Sequence, residues 1–337
     1  MTTTDAETLE AEPGEPGEPS KRGRRGRSEH AAAQNRLGLY LIAPSIIVLL
    51  IVIGYPVVRA IFMSFQKDAG LDPATGLFVE GGFAGFSNYT HWLFQRCGDI
   101  SCPPGTLGSQ FWSSMGTTIF FTVATVIIEV CLGMWMALVM SRAFKGRGLM
   151  RASVLVPWSI PTAVTAKLWL FIFAFDGIAN ALLRTEILWT GSQWPARFAV
   201  IIADVWKTTP FIALLILAGL QIIPEDVYEA AKMDGATKWQ RFTRITLPLV
   251  KPALLVAVLF RVLDVLRIFD LPYILTQGAN NTTTLSILVV NQIRQGFNAA
   301  AALSTITFVF IFLVAFVFVR VLGANVVQTQ QSQQKGR

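Results

Sequence analysis

Arg261, Asp264, Arg267 and Asp270 recur at a spacing of three within a stretch that is otherwise Leu, Val, Ile and Phe, and Lys207 interrupts another apolar stretch. Side chains three apart on a helix are neighbours, so these four can pair in series as a buried polar ladder against a second protein. The rival chemistry is recognition, because carboxylate and ammonium groups in an apolar wall can hydrogen-bond the hydroxyls of a polar solute. Glu129, Lys167 and Asp204 also lie in apolar runs and read as packing or inter-helix hydrogen bonds. Catalytic signatures are missing. The chain has no Gly-x-x-x-x-Gly-Lys-Ser/Thr phosphate loop, no His-Glu-x-x-His and no paired-Cys zinc spacing. No enzyme, resident cofactor or metal is expected.

The elements that must position these charges follow from composition. Of 337 residues, 53% are hydrophobic and only 15% charged, against about 25% charged in ordinary soluble domains. So few charges cannot cover a water-facing surface, and intrinsic disorder needs the opposite bias. An all-α membrane protein is expected, since a span needs about 20 apolar residues to cross a core of about 30 Å. Six stretches qualify: Leu37–Phe65, Ser113–Met140, Ala152–Phe175, Arg197–Gln221, Pro252–Leu275 and Phe297–Leu322. At 1.5 Å per helical residue, Arg261 and Asp264 lie about 14–20 Å from one end of span five, and Lys207 about 15 Å into span four. The three reach one depth near the midplane, where an ionisable group costs about 2.5–3.5 kcal/mol on insertion scales.

Lys and Arg concentrate in the segment before span one (Lys21 to Arg36), in 141–151, in 222–251 and at the C-terminus. The positive-inside rule then makes both termini cytoplasmic. The net charge of +7 is a topology signal, and nucleic acid is not an expected partner. Residues 1–36, with Glu-Pro-Gly repeats and a basic cluster, form an expected disordered cytoplasmic tail that anionic membrane lipid can attract. Residues 323–337 form a cytoplasmic C-tail, and 37–322 the six-span domain. The long extracytoplasmic loop 66–112 is open to three readings: a cap on the spans, a partner site or a spacer. Cys97 and Cys102 share this loop and can pair if it faces an oxidising compartment.

The cytoplasmic loop 222–251 is the most informative segment. Pro224 suits a first helical turn, Glu225 and Asp226 favour the positive dipole end, and Gly235 can stop the helix in a left-handed cap. A second helix carrying Phe242 and Ile245 is expected, with Pro248 and Pro252 turning the chain back into the bilayer. A short amphipathic helix here has no core of its own, so it docks on a partner or lies on headgroups. Glu229, Ala230, Ala231, Gly235, Ile245, Leu247 and Pro248 resemble, at the same spacing, the signature of permease subunits of binding-protein-dependent ABC importers. The resemblance implies a type I ABC importer permease fold in the bacterial inner membrane. It also implies a second homologous permease, an ATPase dimer that binds ATP-Mg, and an extracytoplasmic sugar-binding protein. Glu229 would make the polar contact with the ATPase, and Ala230, Ala231 and Gly235 the close packing.

Phe269-Asp270, Tyr273 to Thr276, Thr284-Leu285 and Phe297 are similar to the first permease subunit of carbohydrate importers of the maltose and glycerol-phosphate type, and the chain as a whole is most similar to trehalose-importer permeases. By that resemblance the sugar-lining positions fall on Trp206, Lys207, Thr208 and Phe211 in span four, and on Arg261, Asp264, Val265 and Ile268 in span five. Charges replace neutral groups there. The expected function is uptake of a carbohydrate, with trehalose the implied substrate, by alternating access coupled to a separate ATPase. The alternatives are an ion-coupled secondary transporter, with Lys207, Asp264 and Arg267 as a charge relay, and a membrane scaffold with no solute path.

Overall fold

The computed structural model describes residues 38–71, 77–98 and 100–320. The expected tails, and the outermost residues of the first and sixth spans, lie outside the described residues. The chain divides into two compact units, residues 1–59 and 60–337. Helix α1 (Gly38–Ser64) is strongly apolar, with Arg59 its one charged residue, and carries a π-helical turn at Leu50–Gly54. That turn directly precedes Pro56, whose missing N–H breaks the regular ladder.

In the second unit, α3 (Phe111–Ser141), α7 (Gln193–Leu220), α9 (Lys238–Val265) and α12 (Phe297–Phe318) are long and apolar enough to span a bilayer. Among them α7 is the most buried, packed against α3, α9 and α4 (Arg147–Ser159). In lipid, helices gain little from hydrophobicity and associate through close packing of small residues. A Cβ on Gly133 of α3 would stand 2.8 Å from Ile212 of α7, and one on Gly219 of α7 would collide with the Ala253 Cβ of α9. Several hydroxyls inside the spans are satisfied locally: Thr118, Thr122 and Thr125 each donate to the carbonyl four residues back.

Two expected spans differ in the structure. The third is broken into α4 and α5 (Thr162–Ile172), bent by 90°, and the short α6 (Ile178–Leu183) follows it. Pro161 is the cause: it disfavours helical backbone at the preceding residue, and Ile160 is extended at φ −74°, ψ 132°. The fifth starts earlier and ends earlier than Pro252–Leu275. Pro248 and Pro252 do not turn the chain; both lie inside α9, where a π-helical turn at Phe242–Thr246 precedes the ladder gaps that the prolines leave. The helix stops at Val265, and a bend at 266–269 leads to α10 (Asp270–Thr276) and then α11 (Leu285–Ile293).

The 66–112 loop is a packed cap. Its strands are β1 (Gln66–Lys67), β2 (Gly70–Leu71), β3 (Phe78–Val79), β4 (Gly82–Phe83), β5 (Arg96–Cys97) and β6 (Ile100–Ser101). They pair antiparallel as β1 with β4, β2 with β3 and β5 with β6. Cys97 and Cys102 are joined in a disulfide across the last hairpin. Helix α2 (Ser87–Leu93) buries Trp92, whose indole donates to the Ala299 carbonyl at 2.9 Å. Asp68, beyond β1, accepts from the backbone N–H of Asn298 (2.7 Å) and Ala299 (3.0 Å). It thereby caps the orphan donors of α12 from a distant part of the chain. Asp68→Ala should lower the melting temperature of the purified transporter by the equivalent of about 1–2 kcal/mol, with Asp68→Asn intermediate. An unchanged unfolding curve for Asp68→Ala would remove this capping role.

Candidate functional site

Arg261 projects from α9 into the space between three spans and is only 3% exposed. A buried guanidinium is tolerated when carboxylates match its donors. Its Nε donates to Glu129 Oε2 at 2.5 Å and its NH2 to Glu129 Oε1 at 2.9 Å, a two-pronged contact with α3. The same NH2 bonds Asp204 on α7, and NH1 donates to Asp264 Oδ2 at 2.5 Å on its own helix. Thr208, one turn beyond Asp204, donates to Glu129 Oε1 at 2.5 Å. Four oxygen contacts from three carboxylates thus hold one cation.

One side of this cluster opens to a cavity of about 320 Å³, at the small end of the range for small-molecule sites. Asp204, Lys207, Thr208, Arg261 and Asp264 line it, with Ile268 and Asp270 from the bend after α9 and Thr162 from the break in span three. Asp264 is the exposed arm, its side chain 64% accessible. Lys207 donates from Nζ to the Ile160 carbonyl at 2.6 Å, the backbone oxygen freed where α4 ends. The two non-helical breaks therefore border the same cavity, and irregular backbone at membrane depth is tolerated in such places.

Five of the expected sugar-lining residues come together here: Lys207, Thr208, Arg261, Asp264 and Ile268. Three do not line it. Trp206 packs edge-on against Trp169 and faces a separate apolar groove of about 280 Å³ with Trp135 and Pro157. Phe211 stacks on Trp158 at 5.6 Å, and Val265 is fully buried in the core. The spaced ladder is broken as well: only Arg261 and Asp264 pair, because the helix ends at Val265 and Arg267 turns its Nε back to the Leu263 carbonyl. Glu129 and Asp204 make the inter-helix hydrogen bonds expected of them, and their shared partner is Arg261.

At the far end of α7, helix α8 (Glu225–Met233) has no buried residue. Gly235 adopts φ +77° and closes the helix, with Ala236 N–H reaching back to the Ala231 carbonyl at 3.0 Å. Glu229 and Ala230 are exposed, Ala231 half-buried. Tyr228 ties the helix to α9 through Thr246 at 3.1 Å.

Residues 129–328 match the family described as binding-protein-dependent transport system inner membrane component. The trehalose/maltose transport system permease protein MalF of Thermococcus litoralis is 39% identical over 296 residues, covering 86% of this chain and 94% of that one. The trehalose transport system permease protein SugA of Mycobacterium tuberculosis is 38% identical over 295 residues, covering 87% and 90%. A crystal structure of a bacterial ABC transporter that imports the acidic polysaccharide alginate shares the fold, with a TM-score of 0.72 at 22% identity over 88% of this chain and 99% of that one. The chain belongs to the family of inner-membrane components of binding-protein-dependent transport systems. It is a multi-pass membrane permease with the ABC importer fold.

Arg261→Met would leave three carboxylates clustered without their cation, and loss of one buried partner costs about 3–5 kcal/mol. The expected outcome is a sharp fall in the folded, membrane-inserted yield, partly restored by adding Glu129→Gln. Arg261→Lys should not rescue, since an ammonium cannot reproduce the planar fork. Wild-type yield and melting for Arg261→Met, judged by size exclusion in detergent, would refute the structural role of this cluster.

Proposed function

We propose that this chain is a permease subunit of an ATP-driven carbohydrate importer, with the disaccharide trehalose as its substrate. The observation that carries the reading is the polar cavity walled by Lys207, Thr208 and Asp264 between apolar spans. Ammonium, hydroxyl and carboxylate groups suit a polyhydroxylated solute that must leave water inside a bilayer. The choice of trehalose rests on the two relatives named for it, each aligned over most of both chains. Ile268 supplies apolar contact, and Arg261 holds Asp264 in place.

Coupling runs through α8. Its unburied surface, with Met233 87% exposed, suits a cleft on a separate ATPase subunit, where ATP-Mg binds outside this chain. Glu229 contacts that cleft, and Ala230, Ala231 and Gly235 allow close approach. A second permease, an ATPase dimer and an extracytoplasmic sugar-binding protein complete the assembly, with both termini of this chain cytoplasmic. ATP-driven closure of the ATPases shifts α8 and tilts the spans, exchanging outward for inward access to the cavity. This is a two-state change biased by the nucleotide.

A Cβ placed on Gly235 would meet no atom within 4 Å, so steric room is not the constraint at this position; its left-handed backbone is. A non-glycine residue there costs about 1–2 kcal/mol, enough to weaken docking of α8 about tenfold. Gly235→Val should cut labelled trehalose uptake by about that factor while the protein still inserts and the ATPase still hydrolyses ATP. Normal uptake by this variant would disprove the coupling role. Wild-type uptake that survives loss of the ATPase but collapses with a protonophore would establish ion-coupled transport instead.

A further inference from the structure

The importer fold accommodates solutes of different charge: the structural relative described above imports an acidic polysaccharide. Within the membrane, charge selection falls to the residues that line each cavity. In this chain the cationic groups at the cavity are already engaged. Arg261 directs Nε, NH1 and NH2 to Glu129, Asp204 and Asp264, and the Lys207 ammonium is bonded to a backbone carbonyl. Arg267 at the rim donates from Nε to the Leu263 carbonyl at 3.3 Å, and Asp270 lines the same wall. The wall itself carries three carboxylates (Asp204, Asp264 and Asp270) and three cations, and the buried Glu129 behind Arg261 brings the formal balance of the cluster to one negative charge.

We propose that Asp264, held at the cavity wall by Arg261, is the specificity determinant that restricts this site to uncharged polyols and rejects anionic sugars. The geometry gives Asp264 both parts of this role. Oδ2 is fixed by NH1 of Arg261 at 2.5 Å, which leaves Oδ1 free to accept hydroxyl hydrogens from a neutral sugar. An anion in the same place meets that carboxylate directly, and like charges repel. Removal of the side chain does two things at once: the repelling charge disappears, and NH1 of Arg261 becomes an unpaired donor aimed at the cavity. Glu129 and Asp204 act through Arg261 and are positioning residues. The proposal rests on the disaccharide reading above and adds the residue that sets its charge class.

The test uses the complete transporter in nanodiscs without the sugar-binding protein, so that only the membrane cavity selects. Labelled trehalose is displaced by unlabelled trehalose or by trehalose 6-phosphate. The wild type should prefer the neutral competitor by about tenfold or more, a ratio equivalent to at least 1.4 kcal/mol. Asp264→Ala should weaken trehalose binding and strengthen binding of the phosphorylated sugar, collapsing or inverting the ratio, and Asp264→Glu should restore rejection. A purely structural role would depress both ligands equally and leave the ratio unchanged, which would overturn the proposal. Equal displacement by both sugars in the wild type would overturn it without any variant, while the disaccharide reading would survive. Failure of the wild type to bind trehalose at all would overturn both.

Discussion

Burying a guanidinium in the interior of a membrane protein constrains everything around it. Arg261 has almost no access to water, so its hydrogen-bond donors must find acceptors within the protein. Those acceptors come from α3, α7 and α9, and each has one effective arrangement. Glu129 presents both oxygens to the fork, Asp204 reaches from one side, and Asp264 closes the third side from the same helix. The relative rotation of three spans is thereby set by one cation. Rotating α7 by a single residue, about 100°, would replace Asp204 with Ala203 or Val205 and leave Arg261 short of a partner.

Close packing makes this arrangement reachable. An aspartate side chain is short, and Asp204 can contact Arg261 only where α7 and α9 lie near each other. Gly219 against Ala253 brings the same two helices together again about four turns further along α7. Likewise Glu129 and Thr208 meet across α3 and α7 in the same layer as Gly133 and Ile212, one turn further along each helix. The glycine contact brings the backbones together, and the polar contact fixes their register. Either alone would be weaker: small residues permit many registers, and a buried ion pair without close helices would admit water.

Much of this was legible from the chain itself. Span positions followed from apolar length, because a bilayer imposes a minimum run on any helix that crosses it. The exposed helix at 225–233 followed from Pro224, the acidic first turn and Gly235, all local signals that tertiary contacts did not override. Depth counting put Lys207, Arg261 and Asp264 at one level, and the structure places them around one cavity. What escaped was azimuth. Trp206 and Lys207 are neighbours in sequence yet lie about 100° apart around the helix, so one faces an apolar groove and the other the polar cavity. Interruptions escaped too. A proline can break a span, as Pro161 does, or be absorbed within one, as Pro210, Pro248 and Pro252 are, and residue type alone does not say which. The partnership of Glu129 with Arg261 spans 132 residues, and no local pattern encodes it.

The breaks in two spans lie beside the charge cluster. Continuous helices across a bilayer leave no backbone groups free and offer few joints at which to bend. This chain interrupts span three at Ile160–Pro161 and span five at 266–269, and both interruptions border the cavity with Lys207 and Asp264. Lys207 satisfies the carbonyl that the first break exposes, and Asp264 stands one residue before the end of the α9 helix at the second. The cavity wall and the first bend are therefore joined through the Lys207 ammonium, while the Arg261 cluster beside it keeps the three surrounding helices in register.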